Sequence, residues 1–168
     1  MKSRFSSRKI AYASIIAAIY AAVTLAVAPY SFGPVQVRFA EALTVLPFFM
    51  PEAIPGLFIG CLLANAGGVA LGVTTGLDVI VGPIATLMAA LLTRRAQKLW
   101  LAPLPPVLVN AVVIGMMLAV TLTPEAVRAS FPLFAAEIAA GQAVACYGCG
   151  IPLMLALKKT GRLLERDA

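Results

Sequence analysis

FAEALTVLPFFMPEAIPGLFIGCLLANA, residues 39–66, carries Pro47, Pro51 and Pro55 inside one apolar run. Read as a single helix, the run would be one membrane span. Each interior proline removes a backbone hydrogen bond and clashes with the preceding turn, which argues against that reading. The alternative is two segments, Phe39–Met50 and Glu52–Ala66, joined by a turn at MPEAIP. Each is shorter than the ~20 residues a straight span needs. The choice settles whether the chain crosses a membrane five or six times.

Charge decides between them. The other apolar segments are Ile10–Ala28, ending at Pro29, then Gly76–Thr93, Pro103–Leu122 and Pro132–Leu157. With six crossings and the N-terminus inside, the cytoplasmic ends hold Lys2, Arg4, Arg8, Lys9, Arg94, Arg95, Lys98, Lys158, Lys159, Arg162 and Arg166, which is 11 of the 13 basic residues. Five crossings cannot keep the N-terminus, the Arg94–Lys98 cluster and the C-terminal cluster all inside, against the positive-inside rule. The expected fold is an all-α integral membrane protein. It is a compact bundle of six transmembrane helices with both termini cytoplasmic, forming one domain over residues 1–168.

Composition agrees. The chain is 61% hydrophobic and 12% charged, with a mean hydropathy of +0.96, whereas soluble domains are nearer half apolar and a quarter charged. The excess apolar surface faces the lipid bilayer. A net charge of +6 sits at segment ends, where it orients the chain, and does not indicate nucleic acid. Histidine is absent, which removes imidazole as metal ligand, base or proton relay. Cys61, Cys146 and Cys149 lie in apolar segments. The CYGC spacing lacks a second ligand pair for zinc, so the thiols read as small packed groups and no metal site is expected. MKSRFSSRK and the following run ending AVAP resemble a signal peptide. The run is long for that role and Pro29 would follow the cut, so it reads as an uncleaved first helix. NAGGVALGVTTG reads as a glycine-rich loop.

In the first helix, Ala13, Ala17 and Ala21 share one face, and Ala18, Ala22 and Ala26 a neighbouring one. Small residues spaced by four let helices approach closely in a bilayer. The face serves either internal packing or docking of a partner membrane protein.

Polar groups at membrane depth are expensive and mark function by default. Arg38 and Glu41 fall at the outer end of the second segment, Asn65 at the outer end of the third, and Asp78 at the outer start of the fourth. Asn110 lies near the membrane centre, and Glu137 and Gln142 lie in the outer part of the sixth. Glu52 falls at the inner edge, while Glu125 and Arg128 sit in an outer loop. Arg38 and Glu41 can neutralise each other at i, i+3. The remaining carboxylates and amides need partners of their own, since unpaired buried groups cost kcal/mol each. A polar ligand with planar donor and acceptor edges would supply them. Tyr30, Phe32, Phe39 and Tyr147 are placed to stack on a flat ring or to anchor the chain at the interface. No GxxxxGK[ST] occurs, so the chain has no P-loop. With no His, metal ligands or activated nucleophile, the set suits holding a molecule more than transforming it, and no cofactor is implied.

VQVRFAEALTVLPFF, IPGLFIGCLLAN, LDVIVGPIATLMAALLT and LAPLPPVLVNAVVIG, taken in order, resemble the QueT-like family from about residue 8 to residue 159. These are substrate-binding S-components of energy-coupling factor importers, assigned to queuosine precursors. The resemblance implies a subunit of a prokaryotic plasma membrane that binds a 7-deazaguanine base, such as queuine, at the outer face. It also implies a transmembrane coupling subunit and two cytoplasmic ATPase subunits as partners, docked through Ala13, Ala17 and Ala21. In that class the S-component is thought to topple in the bilayer as its partners hydrolyse ATP, and Pro29–Arg38 would close over the ligand. Arg38 and Glu41 match the R-x-x-E-A-L block, Asn65 the L-A-N block, Asp78 the L-D block and Asn110 the L-V-N block. Gln142 stands where the family pattern has a glutamate, and Glu137 lies about 140° further round the helix. Three alternatives remain at this stage: another vitamin or heterocycle as solute, a solitary permease using Asp78 and Glu137 as ion sites, and a non-transporting assembly subunit.

Overall fold

The structure, a computed structural model, describes residues 7–32 and 36–159. Lys2, Arg4, Arg162, Arg166 and the centre of the expected Pro29–Arg38 lid lie outside the described residues. Seven α-helices follow in order: α1 (Ser7–Ala26), α2 (Ala28–Ser31), α3 (Ala53–Ala70), α4 (Gly76–Arg95), α5 (Leu104–Leu122), α6 (Val127–Ala143) and α7 (Ile151–Lys159). A 3₁₀ helix, Phe39–Phe48, precedes α3, and a π-helical stretch, Val144–Gly150, joins α6 to α7. No strand occurs among the described residues. Five helical stretches are long and apolar enough to cross a membrane: Ser7–Ala26, Ala53–Ala70, Gly76–Arg95, Leu99–Leu122 and Pro124–Lys159. Phe39–Phe48 is a shorter apolar helix.

Several boundaries differ from the sequence reading, each for a physical reason. Pro29 does not simply end the first helix; it stands in the first turn of the one-turn α2, where a missing N–H costs nothing. The third segment runs on to Ala70, through glycines expected to be loop. A Cβ on Gly68 would lie 2.9 Å from Phe32 Cζ, so packing explains that glycine. The helix stops at Gly72, whose φ of +71° gives the left-handed turn that closes helices. The sixth segment begins at Val127, with Pro132 inside α6. The carbonyl this proline orphans belongs to Arg128, an exposed residue, where outside groups can pair it.

The segment Phe39–Phe48 takes the tighter winding. At ~2.0 Å rise per residue its ten residues reach about 20 Å, against about 15 Å as an α-helix. Thr44 Oγ1 donates to the Glu41 carbonyl at 2.5 Å. At the far end Arg94 Nη1 donates to the carbonyls of Pro47 (3.4 Å) and Phe48 (3.3 Å), pairing acceptors that a helix terminus leaves open.

Glycines set the distances between helices. A Cβ on Gly56 would stand 2.6 Å from the Ala13 carbonyl oxygen, and one on Gly60 3.0 Å from Ala17 Cα. Of the row Ala13, Ala17 and Ala21, Ala17 is buried and the other two half-buried, so this row forms the α1–α3 seam. The alanines that α1 turns outward are Ala18, Ala22 and Ala26. A groove of about 400 Å³ runs along the seam, lined by Lys9, Ala13, Ser14, Ala17, Glu52 and Pro55 among others. Lys9 Nζ meets Glu52 Oε1 across it at 3.0 Å. Elsewhere Gly150 admits the 3₁₀ helix, since its Cβ would lie 2.9 Å from Val45 Cγ1. Gly115 draws α6 onto α5, with Ala135 Cα 3.0 Å from its Cβ position.

Candidate ligand-binding site

Of the polar side chains expected from sequence, Arg38, Glu41, Asn65 and Asp78 are buried where the 3₁₀ helix meets α1, α3 and α4. Gln36, buried with φ of +44°, takes a left-handed conformation that is uncommon outside glycine. Two residues on, Arg38 enters the interior at 4% exposure. Its Nε donates to the Ser31 carbonyl at 3.2 Å and its Nη2 to Asn65 Oδ1 at 3.1 Å. The guanidinium also lies over the Phe32 ring, 4.9 Å from the centroid, a cation–π contact.

Arg38 and Glu41 therefore do not form the self-contained pair that i, i+3 spacing allows. No ion pair joins them among the described residues. Glu41, 1% exposed, accepts instead from the Tyr20 hydroxyl of α1, 2.5 Å from Oε1. Its backbone carbonyl accepts from Thr44 Oγ1 (2.5 Å) and from Cys146 Sγ (3.5 Å). The second carboxylate oxygen, Oε2, is buried without a partner.

Asn65 is fully buried, with Nδ2 donating to Cys61 Sγ at 3.3 Å. It fits because Gly82 of α4 faces it: a Cβ there would lie 2.4 Å from Nδ2. Asp78 does two things. Its Oδ2 accepts from Thr75 N (3.0 Å) and Oγ1 (2.8 Å), closing a capping box at the start of α4. It is also buried and close enough to Arg38 to act on its charge.

Gln142 and Asn110 occupy the α5–α6 side. Gln142, 3% exposed, accepts through Oε1 from Cys146 Sγ at 3.6 Å. The same thiol stands 3.5 Å from the Glu41 carbonyl, and its single S–H can serve either acceptor, so Cys146 sits between Gln142 and the 3₁₀ helix. Counting along the antiparallel pair from the Gly115–Ala135 contact sets Asn110 level with Ala140, about half a turn from Gln142. Asn110 is 4% exposed, and its Nδ2 has no partner. Glu137 is half-buried and makes no hydrogen bond among the described residues. Of the aromatics, Phe32 joins the cluster through Arg38. Tyr30 and Phe39 are 69% and 41% exposed, while Tyr147 is half-buried.

Tyr20, Ser31, Thr44, Cys61 and Cys146 were not expected in this cluster. The signal for Tyr20 lies in its spacing, three residues beyond Ala17 and seven beyond Ala13, on the buried stripe of α1. Cys61 and Cys146 look like apolar fillers in sequence, yet here both thiols bond polar side chains. No His/Cys/Asp/Glu grouping able to hold a metal occurs among the described residues.

Among the described residues, the buried atoms Ser31 Oγ, Glu41 Oε2 and Asn110 Nδ2 have no hydrogen-bond partner. They amount to a hydroxyl, an acceptor and a donor. Leaving each dry and unpaired costs about 1–3 kcal/mol.

A family model described as QueT transporter matches residues 10–159. No curated protein and no solved structure matches the chain.

Proposed function

Because the chain belongs to the QueT transporter family, we propose that it is the membrane-embedded binding subunit of an energy-coupling factor importer and takes a queuosine precursor, a 7-deazaguanine base such as queuine. The observation that carries this reading is the set of orphaned buried atoms. Such a base offers N–H donors to Glu41 Oε2 and a ring carbonyl to an amide donor such as Asn110 Nδ2, with Ser31 Oγ free to give or accept. Arg38, Asn65, Asp78 and Gln142 complete the wall in this proposal. Glu137 is half-buried in α6, about 140° round the helix from Gln142.

On this reading six segments cross the plasma membrane of a prokaryote, the sixth being the 3₁₀ helix, and both termini are cytoplasmic. The exposed Arg95, Lys98, Lys158 and Lys159 then lie on the cytoplasmic side, as the positive-inside rule asks. The groove bordered by Ala13 and Ala17, beside the outward Ala18–Ala22–Ala26 row, faces the coupling subunit. Two ATPase subunits drive transport, and this chain contributes no nucleotide site.

Native mass spectrometry of the gently purified complex reads ligand and partners together. The expected result is a bound 7-deazaguanine base and co-purified coupling and ATPase subunits. Glu41→Gln should lower retention of the base at least tenfold while the subunits stay together. Absence of any purine-like ligand together with uptake that persists without ATPase partners and collapses with an ionophore would refute the proposal.

A further inference from the structure

Glu41 is fixed at both ends. Thr44 Oγ1 and Cys146 Sγ hold its backbone carbonyl, and the Tyr20 hydroxyl holds Oε1. Arg38, the nearest cation in sequence, donates to Ser31 and Asn65 and makes no ion pair with Glu41 among the described residues. The orientation of this carboxylate therefore depends on a neutral phenol from another helix.

That phenol is itself held firmly. Tyr20 is 0% exposed. Its carbonyl accepts from Thr24 Oγ1 at 2.8 Å, and Gly60 gives its Cβ room, since a Cβ on Gly60 would come within 2.8 Å of it. A hydroxyl placed merely to neutralise a buried carboxylate would leave no reason for Oε2 to stay unpaired. Here one oxygen is engaged and the other is buried with no hydrogen-bond partner among the described residues.

We propose that Tyr20 is a positioning residue for ligand binding, holding the Glu41 carboxylate through Oε1 so that Oε2 is presented ready-oriented to a donor of the bound molecule. The role rests on Glu41 being the ligand's acceptor, as proposed above. Binding then loses little side-chain freedom, because the rotamer is set before the ligand arrives. Without Tyr20 the carboxylate is free to rotate, and affinity falls although no direct ligand contact has been removed.

The test is a double-mutant cycle on the purified full chain, with queuine as probe and calorimetric Kd as readout. Tyr20→Phe should weaken binding about tenfold, the equivalent of one charge-assisted hydrogen bond. Added to Glu41→Gln it should change Kd less than twofold, because it acts only through that carboxylate. Losses that multiply, or a Tyr20→Phe protein that binds as wild type does, overturn the proposal. Should Tyr20→Phe fail to fold, 3-fluorotyrosine labelling gives a second readout in the wild-type sequence. The Tyr20 fluorine resonance, assigned with Phe at positions 12, 30 and 147, should shift when queuine binds. Binding without that shift overturns the proposal as well. Failure of wild-type protein to bind queuine removes the functional reading and this inference together, whereas binding that ignores Tyr20→Phe removes this inference alone.

Discussion

Gly82→Ala tests how Asn65 is held. Alanine is favoured over glycine in a helix interior by about 1 kcal/mol, so propensity alone makes the substitution stabilising. Packing demands the opposite. The added methyl would sit 2.4 Å from Asn65 Nδ2, roughly 1 Å inside ordinary contact. Asn65 is wholly buried, and both ends of its amide are employed, at 3.3 Å to Cys61 and 3.1 Å from Arg38. Retreat by that much breaks at least one of these bonds. The Arg38 bond is charge-assisted and worth about 1.5–3 kcal/mol, with the buried guanidinium left short of an acceptor. Subtracting the propensity gain leaves a net loss of about 0.5–2 kcal/mol. Equilibrium unfolding in mixed detergent micelles measures it, in the wild-type background and beside Asn65→Ala. With the amide gone the clash disappears, and Gly82→Ala should become neutral or stabilising by up to about 1 kcal/mol. The reasoning is refuted if Gly82→Ala is at least as stable as wild type while Asn65 is present, or if it destabilises both backgrounds equally.

Asn110→Leu replaces an amide whose Nδ2 is orphaned with a side chain of similar size, so the ligand-free protein should gain about 1 kcal/mol or more; queuine affinity by calorimetry should fall together with that gain. At the Lys9–Glu52 pair, burial opposes the Glu52 charge, but its own backbone N–H, the Lys9 ammonium and Arg94 outweigh that and hold its carboxyl below the usual range. A depressed carboxylate pKa contributes stability above the unfolded value, about 4.3, and loses it as pH falls through the folded one. Thermal midpoints in detergent should therefore favour wild type over Glu52→Gln near neutrality, with the gap closing below about pH 4. A gap independent of pH would assign the effect to packing.

Much of the bundle is legible along the chain. Of the prolines at 47, 51 and 55, Pro51 falls between the two segments, which the structure keeps apart as the 3₁₀ helix and α3, while Pro47 lies inside the first and Pro55 in the first turn of the second. The glycine-rich stretch after Asn65 was harder, because the same residue type serves loops and close helix contacts. Only the approach of Phe32 and Leu25 shows that Gly67 and Gly68 belong to a helix. The alanine rows of α1 posed a similar choice. Spacing identifies two small-residue faces, and the glycines opposite Ala13 and Ala17 decide which one turns inward.

The candidate site divides along the same line. Arg38, Glu41, Asn65, Asp78, Asn110 and Gln142 were visible as polar residues in apolar surroundings, because burying such groups is costly wherever the helices go. Which of them touch was not visible. Local spacing pairs Arg38 with Glu41. The folded chain instead pairs Arg38 with Asn65, 27 residues away, and Glu41 with Tyr20, 21 residues away. The all-helical, apolar character of the chain, most of its helical segments and six of its buried polar residues follow from composition, periodicity and charge. The tertiary structure decided the partners and the atoms left unpaired. Hydrogen bonds between helices depend on how closely glycines let them approach and on which face each helix presents.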